Sequence, residues 1–241
     1  NLAKMGVTFI KDCIVGKTIS VEQLEEEGFK GIFVASGAGL PNFMNIPGEN
    51  SINILSSNEY LTRVNLMDAA SEDSDTPVPF GKCVAVIGGG NTALDDAVVL
   101  SQLAEKVYLI HRRQEFRAEK QLVEKVHKPE NIEFILDTVV TGLKGDKRLE
   151  WLELENKVTG EKSELAVDGV FVAIGQMPEN GMFKNVVEVD AGGYIVAGED
   201  CKTSCPGIFA AGDGRTKKVR QLTTAAADGT VAALAASEYI G

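Results

Sequence analysis

The sequence has few of the residues that mark several classes of protein. Its four cysteines, Cys13, Cys83, Cys201 and Cys205, form no C-x-x-C pair, and their spacing does not resemble a secreted disulfide framework. No group of histidines and cysteines has the spacing of a metal site, so no metal ligand is predicted. This cysteine usage favours a reducing, cytoplasmic location.

Long apolar runs and an excess of basic residues are also missing. No run approaches the ~20 apolar residues that a membrane-spanning helix needs. Acidic residues outnumber basic ones, 35 against 24, which gives a formal net charge of -11 and argues against nucleic acid or an anionic membrane as a partner. The opening stretch, NLAKMGVTFIKD, lacks the features of a signal peptide and an initiator methionine, as expected of a fragment or a processed chain.

What the sequence does contain is the pattern of an α/β protein. Residues 82–88, 91–105 and 106–112 are typical of a strand, a helix and a second strand. Such a βαβ unit implies that the two strands pair in parallel. Further strands joined by short turns are predicted within residues 132–167.

The order of these elements predicts an inserted domain. Residues 71–81 combine acidic residues, serine and two prolines, which is typical of a linker. We therefore predict a Rossmann-like domain at 82–166, inserted between two segments of another domain, 1–70 and 167–241.

A glycine-rich turn separates the first strand of the βαβ unit from its helix. Gly88, Gly90 and Ala93 fit the pattern G-x-G-x-x-G/A. Gly88 would let the chain turn sharply, Gly90 would let the backbone approach a pyrophosphate, and Ala93 would let the helix pack closely on the strand. This context favours a dinucleotide site over the alternative, a plain structural turn. The predicted ligand-binding residues of the turn are Gly88, Gly89, Gly90, Asn91, Thr92 and Ala93.

The second strand of the unit ends in a cluster of basic residues. An NAD site would carry Asp or Glu there to bind the ribose 2′-hydroxyl, whereas this chain has His111, Arg112, Arg113 and Arg117. Planar guanidinium groups suit a dianionic 2′-phosphate. The cluster therefore predicts NADPH rather than NADH as the ligand, and a solvated basic patch is the alternative.

Residues 81–241 resemble the thioredoxin reductases. The resemblance lies in VAVIGGGNTALDDAVVL, in KVYLIHRRQEFRA with its H-R-R-x-x-x-R arrangement, and in the later segments VFVAIGQMPEN and GIFAAGDGRTKKVRQLTTAAADG. It implies an NADPH-binding domain at 82–166 and, at 167–241, the returning part of an FAD-binding domain. By that resemblance Gly212 and Asp213 lie at the ribityl-phosphate end of FAD. The other cofactor-binding residues that it implies are Ile174, Gly175, Arg220, Gln221 and Leu222, the last three near the isoalloxazine ring.

Residues 1–80 are similar to the flavoprotein small subunit of glutamate synthase and its ferredoxin–NADP oxidoreductase relatives. The similarity lies in LAKMGVTFI, GKTISVEQL, FKGIFVASGAGLPNFMNIPGEN and SSNEYLTRVNLM. Both groups are two-dinucleotide-binding flavoproteins, so the similarity implies that residues 1–70 belong to an FAD-binding domain. The stretch VASGAG would be the crossover loop of that superfamily, with Ala35, Ser36 and Gly37 near the cofactor and Ser36 where threonine is usual.

The chain departs from both groups in two ways. Thioredoxin reductases carry a C-x-x-C dithiol just before the nucleotide glycine turn, where this chain has only Cys83. Family members also bind FAD through an earlier G-x-G-x-x-G turn, and neither that unit nor the iron–sulfur domain of the glutamate synthase relatives is present. We therefore expect a fragment of a longer flavoenzyme, completed by a partner or by a second copy of the chain.

These features lead to one main hypothesis and two alternatives. The main hypothesis is a flavin oxidoreductase that passes hydride from NADPH to FAD and electrons on to another protein or an iron–sulfur centre. Because the cofactors carry such chemistry, no catalytic acid or base is predicted. The alternatives are an NADP(H)-binding module without turnover of its own and a disulfide reductase that lacks its C-x-x-C motif.

Overall fold

The computed structural model describes residues 1–69, 71–78 and 81–241. The chain forms two compact units. We call residues 41–176 the inserted unit, and residues 1–40 together with 177–241 the outer unit.

Helices and strands alternate along much of the chain. Single 3-10 turns occur at Leu2–Met5, Gly181–Phe183 and Gly212–Gly214. The helices are α1 Val21–Glu26, α2 Ser57–Asn65, α3 Asn91–Leu100, α4 Lys120–Val126 and α5 Leu222–Ile240. The strands are β1 Ile32–Val34, β2 Leu40–Pro41, β3 Ile54–Ser56, β4 Cys83–Gly88, β5 Lys106–Ile110, β6 Ile132–Ile135, β7 Thr138–Lys144, β8 Trp151–Asn156, β9 Lys162–Ala166, β10 Gly169–Ala173, β11 Gln176–Met177 and β12 Ile208–Ala210.

The inserted unit is built on a parallel sheet of five strands in the order β3-β10-β4-β5-β6. Its central strand β4 reads CVAVIG and is buried along nearly its whole length, as expected where both faces of a parallel sheet are covered. One face packs against α3, whose small residues Ala93 and Ala97 let the helix approach closely. The predicted βαβ unit, β4–α3–β5, is confirmed.

The opposite face of this sheet packs against a second, antiparallel sheet. Strands β7, β8 and β9 pair in chain order, and the register shifts between Val140 and Gly142 at a bulge. Leu143, Leu152 and Leu154 form a hydrophobic core with Ala85 and Val170 of the parallel sheet. The strands predicted within 132–167 are thus present.

The inserted unit is longer than the domain predicted at 82–166. Strand β10 pairs with β4 on one side and with β3 on the other, Val170 lying beside both Ala85 and Ile54. Helix α2 covers the same strands through an edge-on ring contact of 5.2 Å between Tyr60 and Phe171. These contacts place Ile54–Asn65 and Gly169–Ala173 in the inserted unit. The predicted linker, 71–81, includes residues 79–80, which lie outside the described residues, as does residue 70 at the end of the predicted first segment.

The two ends of the inserted unit meet. The backbone N–H of Asn42 donates to the carbonyl oxygen of Gly175 at 3.0 Å. A domain whose first and last residues lie side by side can be inserted into another chain without distorting it.

The outer unit is formed by the two remaining segments of the chain. Strands β1 and β12 pair in parallel, with Phe33 beside Phe209, although the whole inserted unit separates them in sequence. Two small cores lie within this unit, one around Val34, Ile195 and Ile208 and the other between β12 and helix α5. In the part of the chain that the structure describes, no helix is long and apolar enough to cross a membrane.

Candidate functional site

The glycine turn predicted to bind a dinucleotide connects β4 to α3. A Cβ atom on Gly88 would lie 2.4 Å from the carbonyl oxygen of Ala173 and 2.7 Å from Cβ of Ala93, so strand and helix pack too closely here for any side chain. Around a Cβ atom on Gly90, in contrast, the described structure has no heavy atom within 4 Å. Gly90 is also the N-cap of α3, and no side chain caps that helix end. The turn therefore leaves backbone N–H groups open to an anion.

A cleft of about 680 Å³ runs along the carboxyl ends of β4, β5 and β10. Ligands of open α/β sheets bind at this edge. The cleft brings together nine of the residues predicted for cofactor binding. They are Gly88, Gly89, Gly90, Thr92, His111, Arg112, Arg117, Ile174 and Gly175.

Three other predicted residues of this unit do not line the cleft. Asn91 is engaged by Glu119, since its side-chain amide donates to Oε1 at 3.1 Å and its Oδ1 accepts from the Glu119 backbone at 2.9 Å. Ala93 is fully buried under the sheet. Arg113 is exposed, and its carbonyl oxygen lies 3.5 Å from the backbone nitrogen of Asp137.

The arginine cluster follows β5 in the loop His111–Arg117, which we call the arginine loop. The side chains of Arg112, Arg113 and Arg117 are exposed. Within the described ranges none of the three guanidinium groups forms an ion pair, although the chain as a whole carries a net charge of -11. Positive charge that is not neutralised from within the protein is available to an anionic ligand.

His111 lies under this loop rather than on its surface. Its side chain is 7% exposed, and its ring stacks on Phe116 with the ring centroids 5.4 Å apart. Burial, and then the positive charges of Arg112 and Arg113, lower the pKa of this imidazole from its ordinary value. The lowered pKa favours the neutral form of the imidazole.

In the outer unit, the predicted cofactor residues lie on the loops that follow β1 and β12. The hydroxyl of Ser36 lies 3.4 Å from Oδ1 of Asn180, whose amide donates to the carbonyl of Gly214 at 2.8 Å. The carbonyl oxygen of Gly37 would lie 3.1 Å from a Cβ atom on Gly214, so the two loops touch there. Ala35, the first residue after β1, is exposed.

The predicted flavin residues lie near the start of helix α5. Gly212 and Asp213 form the 3-10 turn after β12, and Nε of Arg220 lies 3.4 Å from the carbonyl oxygen of Asp213. The Arg220 guanidinium stacks 4.0 Å above the ring of Tyr194. Gln221 is the N-cap of α5, and Leu222, the first helical residue, is 86% exposed.

A buried charge cluster that sequence reasoning missed fixes the loop after β12. The carboxylate of Asp228, on α5, accepts from the backbone N–H of Gly212 at 3.0 Å, from Nη2 of Arg215 at 2.7 Å and from Nζ of Lys217 at 2.8 Å. The Arg215 guanidinium, which donates from Nε as well, lowers the pKa of Asp228 far below its ordinary value. One signal could have found it, because Asp228 is the single charged residue between 222 and 237.

These residues fit the two cofactors that the sequence predicts. For NADP(H), the turn offers open backbone donors and the arginine loop offers unpaired guanidinium groups. For FAD, Oδ1 of Asp213 is buried and has no hydrogen-bond partner among the residues described. Such an oxygen is expected to meet a donor that comes from outside the chain.

Comparison with known proteins agrees with this geometry. The profile of the family described as pyridine nucleotide-disulphide oxidoreductase matches residues 2–229. The chain belongs to this family. It is 36% identical over 230 residues to a thioredoxin reductase of Peptoclostridium acidaminophilum, a match covering 93% of this chain and 69% of the relative. It is also 41% identical over 161 residues, 67% of this chain and 52% of the relative, to a 34.2 kDa protein in the rubredoxin operon of Clostridium pasteurianum.

Solved structures support the fold of this pyridine nucleotide-disulphide oxidoreductase. The crystal structure of Lactococcus lactis thioredoxin reductase in its FR conformation matches with a TM-score of 0.76 at 31% identity, covering 88% of this chain and 66% of that one. The crystal structure of T. acidophilum thioredoxin reductase matches over the same shares of the two chains, with a TM-score of 0.75 at 28% identity. The predicted α/β fold of two-dinucleotide-binding flavoproteins and the likeness to thioredoxin reductases are thus confirmed. The chain spans between about half and two thirds of the length of these relatives.

Proposed function

We propose that this chain is the NADP(H)-binding part of an FAD-dependent oxidoreductase. In this proposal hydride passes from NADPH to FAD, and electrons continue to a further acceptor. The observation that carries it is the set of unpaired guanidinium groups of Arg112 and Arg117 in the same cleft as the open glycine turn. A 2′-phosphate and a pyrophosphate, which NADPH carries together, match these two features.

Each group of residues has a defined task in this proposal. The backbone at Gly90 and the amino end of α3 bind the pyrophosphate, and the arginine loop binds the 2′-phosphate. Asp213 and the start of α5 bind the flavin. FAD, when bound, supplies the redox chemistry, since it accepts a hydride and releases electrons one or two at a time. The protein contributes binding and orientation.

In this proposal the cysteines of this chain do not accept the electrons. All four cysteines are free, and Cys83 belongs to the inserted unit whereas the other three belong to the outer unit. Cys201 is buried, and burial raises the pKa of its thiol, which disfavours the reactive thiolate. This arrangement favours a protein or iron–sulfur acceptor, as in the glutamate synthase relatives, over the dithiol route of a disulfide reductase.

Arginine substitutions test the proposed cofactor preference. Arg112→Ala and Arg117→Ala should each weaken NADPH binding by about 10- to 100-fold, the value of a charge-assisted contact of ~1.5–3 kcal/mol, and leave NADH binding unchanged. Arg148→Ala, another exposed arginine of the same unit, is the matched control and should leave both affinities unchanged. Equal losses for NADPH and NADH in the two loop variants would contradict the proposal. Titration calorimetry measures the affinities for NADPH and NADH.

An absorption spectrum separates the reductase from the alternative of a binding module without turnover. The chain is mixed with FAD, and spectra are recorded before and after NADPH is added without oxygen. Bound flavin that loses its absorption in the visible range supports an oxidoreductase. NADPH binding without any flavin binding would assign this chain to nucleotide binding alone.

A further inference from the structure

The glycine turn and the arginine loop are tied together through the backbone. The N–H of Arg117 donates to the carbonyl oxygen of Gly89 at 2.7 Å, and Arg117 also forms an isolated β-bridge with Gly90. The far end of the arginine loop is thus attached to the turn that we propose binds the pyrophosphate. The position of one proposed phosphate site therefore depends on the other.

The imidazole of His111 is a second tie between the same two segments. A Cβ atom on Gly89 would lie 2.1, 2.2 and 2.6 Å from Cε1, Nδ1 and Nε2 of His111, so the ring occupies the space beside this glycine. Nε2 of the ring lies 3.1 Å from the carbonyl oxygen of Glu115, in the middle of the arginine loop. The ring therefore touches the turn on one side and holds the loop on the other.

The backbone of His111 is held by hydrogen bonds on both sides. Its backbone N–H donates to the carbonyl of Ile135 at 2.9 Å, and its carbonyl accepts from the N–H of Thr138 at 3.0 Å. Phe116, which stacks on the imidazole, also packs against the partly buried Phe134 with ring centroids 6.0 Å apart. Because the His111 backbone and Phe116 are both held in place, the orientation of the imidazole determines the position of the arginine loop.

We propose that His111 is a specificity-determining positioning residue, whose side chain holds the arginine loop at the distance from the glycine turn that a 2′-phosphorylated dinucleotide requires. This inference rests on the proposed 2′-phosphate site. His111 does not itself bind the phosphate. It acts through Arg112 and Arg117, whose backbone it fixes on either side of Glu115.

The chemistry of a neutral histidine suits this task. A neutral imidazole with its proton on Nε2 donates to the Glu115 carbonyl while its flat ring fits against a residue without a side chain. Burial, and then Arg112 and Arg113, lower its pKa, which favours an uncharged ring that does not repel the arginines. Phenylalanine would keep the ring but lose the donor, whereas glutamine would keep a donor at similar reach.

The test measures the ratio of NAD⁺ to NADP⁺ dissociation constants by titration calorimetry on the full chain. His111→Phe and His111→Ala should lower this ratio by tenfold or more with NAD⁺ affinity unchanged within about twofold, because the loss falls on the 2′-phosphate contacts. His111→Gln should restore most of the ratio. Gly89→Ala should lower it too, since the added methyl group displaces the imidazole, and the double change Gly89→Ala with His111→Ala should be no worse than His111→Ala alone.

Each outcome has one meaning. A ratio that stays at the wild-type value in folded His111→Phe would overturn the inference, and so would equal losses of NAD⁺ and NADP⁺ affinity, which indicate a structural role only. Circular dichroism confirms folding, and if His111→Ala does not fold, His111→Phe and Gly89→Ala decide the question. A wild-type chain that binds NADP⁺ no better than NAD⁺ would instead refute the proposed function on which the inference rests.

Discussion

At the scale of single residues, the buried charges of the outer unit matter more for its structure than the exposed charges. Asp228 is surrounded by two cations and a backbone N–H, and Arg215 is 2% exposed. A buried charge that loses its partner is costly, because the remaining charge can neither pair nor reach water. Asp228 therefore holds both the loop Gly212–Lys217 and the middle of α5 in place.

Asp228→Asn should lower the free energy of unfolding by about 3–5 kcal/mol, because it leaves Lys217 buried without a counter-charge and Arg215 with only the exposed Glu199, 3.9 Å away. Denaturant unfolding at neutral pH measures the change. Glu238→Gln, an exposed charge on the same helix, is the control and should stay within ~0.5 kcal/mol of wild type. A similar small change for both variants would show that the cluster does not stabilise the fold.

The same cluster predicts a pH dependence. The folded pKa of Asp228 lies below its unfolded value, so the folded state binds its proton less readily than the unfolded state. Its contribution to stability is complete above the unfolded pKa of about 3.9 and is lost as the pH falls towards the folded value. The difference in unfolding free energy between wild type and Asp228→Asn should therefore shrink below about pH 4, and a constant difference would contradict this assignment.

At the scale of elements, the unit β4–turn–α3 shows two different uses of glycine. Gly88 is required because strand, helix and the end of β10 leave no space for a side chain, whereas Gly90 is surrounded by open space at the cleft. Gly88 lets the strand and the helix pack closely, whereas Gly90 leaves the backbone accessible to a ligand. The sequence pattern contains both in the same motif, and only their surroundings separate the two roles.

Paired substitutions should separate packing from access. Gly88→Ala should lower the melting temperature by several degrees, because a methyl group at this site collides with Ala173 and Ala93. Gly90→Ala should leave the melting temperature unchanged and weaken NADP⁺ binding at least tenfold, because the methyl group projects into the ligand space. Thermal unfolding and calorimetry of both variants check this, and unimpaired binding by Gly90→Ala would argue that no phosphate approaches the turn there.

Local sequence was sufficient to predict the elements of the site but not their partners. The strand before Gly88 and the helix after it follow from apolar runs and a glycine pattern, which are properties of neighbouring residues. The pairing of β3 with β10 depends on residues more than a hundred positions apart, and no local pattern encodes it. The role of Asp228 was hidden for the same reason, since its partners become neighbours only after the chain has folded.

At the scale of the whole molecule, each unit has hydrophobic cores of its own. The two cores of the inserted unit draw their residues from 41–176, and those of the outer unit from its two segments. The parallel sheet also lies entirely within the inserted unit. We therefore expect the inserted unit to be an independent folding unit.

Residues 41–176 expressed alone should unfold in one cooperative transition and bind NADP⁺ within a few-fold of the full chain. The shorter piece 82–166, which matches the boundaries predicted from sequence, is the control. It lacks β10 and β3, so β4 would become an open edge, and we expect it to remain unfolded or to aggregate. Circular dichroism and calorimetry measure both pieces, and a folded 82–166 would show that β10 is dispensable.

The hydrogen bond between Asn42 and Gly175 has a consequence for the order in which the chain folds during synthesis. The segment that contains β1 leaves the ribosome before the inserted unit, and its partner β12 follows only after the whole inserted unit has been made. Closing so long a loop in an unfolded chain carries a large entropic cost. A folded inserted unit, with its two ends side by side, shortens the chain that must be closed to residues 35–40 and 177–207. Folding of the inserted unit thus assists the pairing of β1 with β12. A substitution that slows folding of the inserted unit should therefore also delay folding of the outer unit.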